Sequence, residues 1–115
     1  MEEEQENFNA GDTGDVADYG NVNDTLELGG KIKISGFRVL DPGKMVVVKK
    51  MVGNYVRKIE ERHQGFQEIY VHLKMIHNSQ YEIQVKTFID SEKRSFEATD
   101  HNLFFALDSA LNRAL

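Results

Sequence analysis

Phe66-Gln67-Glu68-Ile69-Tyr70-Val71-His72-Leu73-Lys74-Met75-Ile76-His77 is the stretch on which the fold turns. Ile69, Val71, Leu73 and Met75 alternate with Glu68, Tyr70, His72 and Lys74, the period of two of a strand that is apolar on one face only. Downstream, Asn78-Ser79-Gln80 is a short polar turn into residues 81–89, which repeat the pattern with an apolar odd-numbered face. Asp90-Ser91-Glu92 makes the next hairpin, and residues 93–98 form a further strand. Thr99 or Asp100 then caps a last helix whose inner face carries Leu103, Leu107, Ala110, Leu111 and Ala114.

Upstream, Gln64-Gly65 closes a helix that starts at Asp41-Pro42-Gly43, where Asp is suited to cap and Pro to occupy a first turn that needs no amide donor. At 100° per residue Val48, Val52, Tyr55, Val56 and Ile59, with Met45 and Met51, fall on one side of this helix, and Lys49, Lys50, Arg57 and Glu61 fall elsewhere. The helix is expected to run to about His63. Three consecutive valines and Gly53 are poor helix formers, so tertiary packing of the apolar side must supply the stability. Before it, Ile32 and Ile34 alternate with Lys31 and Lys33 as a first strand ahead of Ser35-Gly36-Phe37.

The element order is therefore β-α-β-β-β-α. A helical crossover makes the first two strands parallel and right-handed in connection, and the hairpins add antiparallel neighbours. One apolar face per strand predicts an α+β fold, a two-layer sandwich with a four-stranded mixed sheet and both helices on one face. Lys31, Lys33, Tyr70, His72, Lys74, Gln84 and Lys86 are then expected toward water.

The charge is unevenly placed. The 115 residues sum to −5, yet residues 1–28 hold nine acids and no Lys or Arg, while residues 29–115 hold all 14 cations against ten acids, +4. Residues 1–27, rich in Glu, Asp, Asn and Gly, read as a disordered acidic tail, and residues 28–115 as the folded domain. The tail lacks the acid spacing and closing Glu of a calcium loop. It could instead compete with RNA for the basic helix.

The absence of Cys excludes disulfides, thiolate metal sites and Cys nucleophiles. No apolar run nears the roughly 20 residues that span a bilayer, and the N-terminus is acidic where a targeting peptide is basic, so no membrane is expected and a cytoplasmic location is. There is no nucleophile elbow and no phosphate loop. His72 and His77 have opposite strand parity and make poor co-ligands. No enzyme activity, metal, cofactor or small-molecule substrate is expected.

The element order, the stretch from Phe66 to Lys74 and the ending Phe96-Glu97-Ala98-Thr99-Asp100-His101-Asn102-Leu103-Phe104-Phe105-Ala106-Leu107-Asp108-Ser109-Ala110-Leu111 resemble the ribosome hibernation-promoting factor and protein Y family over residues 31–115. Phe104, Ala106, Leu107 and Asp108 fit the aromatic-Ala-Ala-Ile-Asp opening of that family's last helix, with Phe105 in place of a small residue. The resemblance implies a non-enzymatic factor that docks on the small ribosomal subunit and its rRNA, in the channel of messenger and transfer RNA, and blocks translation in resting cells. The basic side chains it implies for RNA contact are Lys49, Lys50, Arg57, Lys58 and Arg62 on the first helix, Lys74 ending the second strand, and Arg113 on the last helix. The acidic extension departs from the bacterial pattern, and residues 31–115 contain neither the basic tail of short members nor the dimerising domain of long ones, so subunit dimerisation is not among the expectations.

Independently of any family, Lys50 and Arg57 stand two turns apart and nearly aligned, able to meet phosphates along one RNA backbone. Glu60 and Glu61 could pair with them and dilute the field. The sheet face, with Tyr70, Phe88 and its lysines, reads either as a base-stacking platform or as ordinary cross-strand pairs. Two alternatives stay open. One is a double-stranded RNA-binding module, although Thr99-Asp100-His101-Asn102 stands where such modules place lysines. The other is a protein-interaction domain without RNA binding, self-associating weakly through an edge strand.

Overall fold

In a computed structural model, residues 24–115 are described. The elements are β1 (Thr25–Glu27), β2 (Ile32–Ser35), α1 (Pro42–Arg62), β3 (Phe66–Ile76), β4 (Gln80–Ile89), β5 (Glu92–Asp100) and α2 (Leu103–Arg113). The strands form one sheet in the order β1-β2-β3-β4-β5. The β2–β3 pair is parallel and the other three are antiparallel.

The expected four-stranded sheet thus has a fifth strand. β1 has three residues, too few to display a period, and only Leu26 among them is large and apolar. Leu26 lies opposite Ile34 and packs against the core. Gly29, at φ +77°, turns the chain back so that the Leu28 amide donates to the Ile32 carbonyl at 2.8 Å. Residues 25–27, expected within the acidic tail, therefore belong to the sheet, and Asp24 is described just before them; residues 1–23 of that expected tail lie outside the described residues.

Asp41 caps α1 as its position predicts, its Oδ1 accepting from the Lys44 amide at 2.9 Å, with Pro42 at the first position. Val48, Val52, Val56 and Ile59 are buried, and Met45, Met51 and Tyr55 pack at the margin. Burying those four aliphatic side chains contributes about 1.5–3 kcal/mol each, more than the few tenths that each valine withholds in helix propensity. The cap of α2 differs from expectation. β5 continues through Asp100, which pairs with Tyr81, so the helix starts later and Asn102 accepts from the amides of Phe104 and Phe105 at 2.9 and 3.1 Å.

Both helices lie over the apolar face. Ile34, Ile69, Val71, Leu73, Ile83 and Val85 meet the α1 residues and Leu103, Ala106, Leu107, Ala110 and Leu111 of α2 in one core. A register shift between Phe66 and Glu68 turns Phe66 into that core despite its even number. Phe37, just past the first strand, lies in a short 3-10 turn and is buried, because Gly36 at φ +82° bends the chain over β3. A Cβ at Gly36 would run into the Leu73 carbonyl oxygen. The helices are tied by the Tyr55 hydroxyl, which donates to Asp108 Oδ1. Burial first, then the hydrogen bond to Asp108 and its charge, push the Tyr55 phenol up to about 12.

Two outcomes are expected. Gly36→Ala should lose about 2 kcal/mol or more, through left-handed backbone strain and the carbonyl clash, whereas Gly53→Ala, with open space for its Cβ in mid-helix, should gain about 0.5–1 kcal/mol. Urea denaturation measures both. Because the Tyr55 pKa is raised, the stability it contributes is complete below the ordinary tyrosine value near 10 and is lost as pH climbs through about 12. The urea midpoint of the wild type should therefore fall across that interval more steeply than that of Tyr55→Phe; equal slopes would exclude the link.

Candidate nucleic-acid interface

The side of α1 that faces away from the core carries the domain's charge. Its six cations, Lys44, Lys49, Lys50, Arg57, Lys58 and Arg62, oppose Glu60 and Glu61, a balance of +4 that equals the whole excess of residues 29–115. Lys49, Lys50, Arg57, Lys58 and Arg62 are all exposed. Lys50 and Arg57 differ by about 20° around the axis and by about 10 Å along it, opposite the buried stripe.

Their partners decide how much of that charge is available. Glu60 and Glu61 could have neutralised the row; Glu60 reaches toward the sheet and pairs with Lys31 at 3.7 Å, and Glu61, exposed one turn past Arg57, forms no ion pair among the described residues. Arg57 donates at 3.4 Å to Asn54, a neutral acceptor, and Lys58 lies 5.3 Å above the Tyr55 ring. Among the described residues Lys49, Lys50, Arg62 and Arg113 have no ion-pair partner. An exposed ammonium or guanidinium without a local acid keeps its full field for an incoming anion.

Beside this row an open groove of about 480 Å³ runs between α1 and the β1–β2 turn. Gly30 and Gly53 leave the space, Ile32 lines the floor, and Lys31, Arg57 and Glu60 stand at the rim. The groove is shaped by residues that a charge census passes over, Gly53 above all.

Of the seven residues expected at the interface, five share α1 and Arg113 occupies the exposed last turn of the neighbouring helix. Lys74 does not join them. It is half-buried on the opposite face of the sheet, in register with Glu82. Lys44, exposed in the first turn of α1, is a sixth cation on the same helix, outside the set the resemblance implies.

The open face of the sheet behaves differently. Glu27, Glu68, Glu82 and Glu97 balance Lys33, Lys74, Lys86 and Lys93 there, four against four. Lys33 pairs with Glu68 at 3.2 Å, donates to the Tyr70 hydroxyl at 3.4 Å and lies 5.3 Å from that ring's centroid. Burial pulls the Lys33 ammonium down, but Glu68 and Tyr70 outweigh it and leave the pKa raised. Tyr70 meets Phe88 edge-on with centroids 6.2 Å apart, and its phenol is raised by burial and by Glu68 against the opposing Lys33. These rings are cross-strand pairs within a self-neutralised surface.

Two residues expected on that face toward water are placed otherwise. Lys31 precedes β2 and turns to the helix side, 5.8 Å over the Phe66 ring. His72 is 6 % exposed, its Nδ1 2.8 Å from Ser35 Oγ, because the chain folds over it at Gly36. Among the described residues no group of three or more His, Asp or Glu is placed to hold a metal ion, and no helix is long and apolar enough to cross a membrane.

No family model and no curated protein sequence matches the chain. Solved structures do. The crystal structure of the Thermus thermophilus protein Y N-terminal domain aligns with a TM-score of 0.54 at 16 % identity, over 76 % of this chain and 90 % of that one. A ribosomal subunit interface protein from Coxiella burnetii aligns with a TM-score of 0.50 at 9 % identity, over 72 % and 85 %. With helices, parallel crossover and hairpins in place, the chain has the fold of the protein Y N-terminal domain.

Proposed function

We propose that this domain is a non-enzymatic, ribosome-associated factor of the cytoplasm that binds the small ribosomal subunit through rRNA phosphates on α1, and that occupancy there restrains translation. The observation that carries the reading is the exposed Lys50–Arg57 row, free of acidic partners among the described residues on the helix that holds all of the domain's positive excess. Lys49, Lys58 and Arg62 flank the row, and Arg113 extends it from the next helix. Lys74, on the far layer, is left out.

The chemistry favours folded RNA over a small anion. A row about 10 Å long of mobile cations with no enclosed pocket gives no single ligand a fixed seat, whereas a polyanion gains from every neutralised phosphate and releases its counterions. Fold similarity to a ribosomal subunit interface protein supports the choice of polyanion. The double-stranded RNA-binding alternative finds no cationic helix start, since Asp100 and the Asn102 cap occupy that place.

Co-sedimentation with small ribosomal subunits tests the reading. Charge reversal of both Lys50→Glu and Arg57→Glu should weaken association by about tenfold or more and flatten its log–log salt dependence by about one unit for each phosphate no longer neutralised. Lys74→Glu should leave association unchanged, and naked helical RNA should bind far more weakly than subunits. Unaltered sedimentation of the double variant would sink the proposal.

A further inference from the structure

β5 is the last strand of the sheet, and among the described residues nothing pairs with its outer side along Glu92–Asp100. Which backbone groups it presents follows from the hairpin. Asp90 and Ser91, at φ +54° and +66°, form a two-residue turn of the type with both central residues left-handed, closed by the pair Ile89–Glu92. In such a hairpin the closing pair exchanges both hydrogen bonds, and such pairs alternate along an antiparallel ladder. Glu92, Arg94, Phe96, Ala98 and Asp100 therefore bond inward to β4, and the amides and carbonyls of Lys93, Ser95, Glu97 and Thr99 point out of the sheet edge.

The side chains on this edge are complementary to themselves when the strand is reversed. An antiparallel pairing of two copies about a two-fold axis at Ser95 sets Lys93 opposite the other copy's Glu97, twice, on the open face. It also sets Arg94 opposite the other copy's Phe96, twice, on the helix face. Both charged pairs fall at hydrogen-bonded positions, with side chains within reach. Within one chain Lys93 and Glu97 are about 13 Å apart along the strand, and neither has an ion-pair partner among the described residues. Neighbouring registers fail. An axis at Phe96 opposes Glu92 to Asp100 twice, one at Glu97 opposes Glu97 to itself, and one at Arg94 opposes Arg94 to itself.

We propose that β5 is a self-association edge, joining two copies of this chain antiparallel about Ser95 into one continuous sheet. Charges on an edge strand ordinarily repel unrelated strands; here the same charges admit one partner, the reversed copy. A two-fold axis normal to the sheet keeps both helix layers on the same side, so the two α1 rows face one direction.

The chain has no Cys, which makes the register directly readable. Under oxidising conditions Ser95→Cys should form a disulfide-linked dimer, since residues opposite each other in a hydrogen-bonded pair lie about 5.5 Å apart at Cα, within disulfide range. Phe96→Cys and Glu97→Cys should not. In sedimentation equilibrium Lys93→Glu or Glu97→Lys alone should weaken the wild-type dimer by about tenfold or more, and the two together should restore it. A wild type that stays monomeric at millimolar concentration, cross-linking as fast at 96 or 97 as at 95, or a double exchange that fails to restore the dimer would each overturn the proposal.

Discussion

The whole arrangement depends on a sheet with only one apolar face. Ile34, Ile69, Val71, Leu73, Ile83 and Val85 all project to the same side, so α1 and α2 must lie together there to exclude water. That requirement orients α1 about its own axis. With Val48, Val52, Val56 and Ile59 turned inward, Lys50 and Arg57 have no choice but to face solvent. The electrostatic character of the outer layer is therefore a by-product of how the core closes, and a change that rotated α1 would disperse the cations before it unfolded the chain.

The two outer surfaces divide the charge by different rules. On the open sheet face carboxylates and cations balance in number across one pleated surface, and Lys33, Glu68 and Tyr70 settle into a closed set of contacts. On α1 the near acid, Glu60, is drawn off by Lys31 from the start of β2. With that carboxylate drawn off and Glu61 unpaired among the described residues, Arg57 bonds to the neutral side chain of Asn54. An exposed ion pair such as Lys31–Glu60 adds little stability; its effect lies in where it leaves the remaining charge.

Periodicity made most of the fold legible. The alternation in β3 and β4, the Asp41-Pro42 helix start and the apolar stripe of α1 each repeat often enough to be read from residues 41–89 alone. What escaped was short or tertiary. β1 shows no period in three residues and is held by pairing with β2, across a turn rather than within a pattern. The cap of α2 hinged on how far β5 stays paired, since Thr99, Asp100 and Asn102 are all good capping types. At the site, the α1 cations follow from a wheel, but the side of the sheet on which Lys74 emerges relative to α1 is a matter of layers. The diversion of Glu60 depends on Lys31, a residue far from it along the chain.

The parallel β2–β3 pair has one more consequence, for the chain entropy that assembly costs. β3, β4 and β5 are joined by short turns, so their ladders close small loops. Lys33 and Tyr70, adjacent across the β2–β3 pair, are 37 positions apart. Closing that larger loop costs about 2 kcal/mol more in chain entropy than a tight hairpin. The meander therefore closes at the lower entropic cost, and the pairing that brings the cationic helix onto it at the higher one.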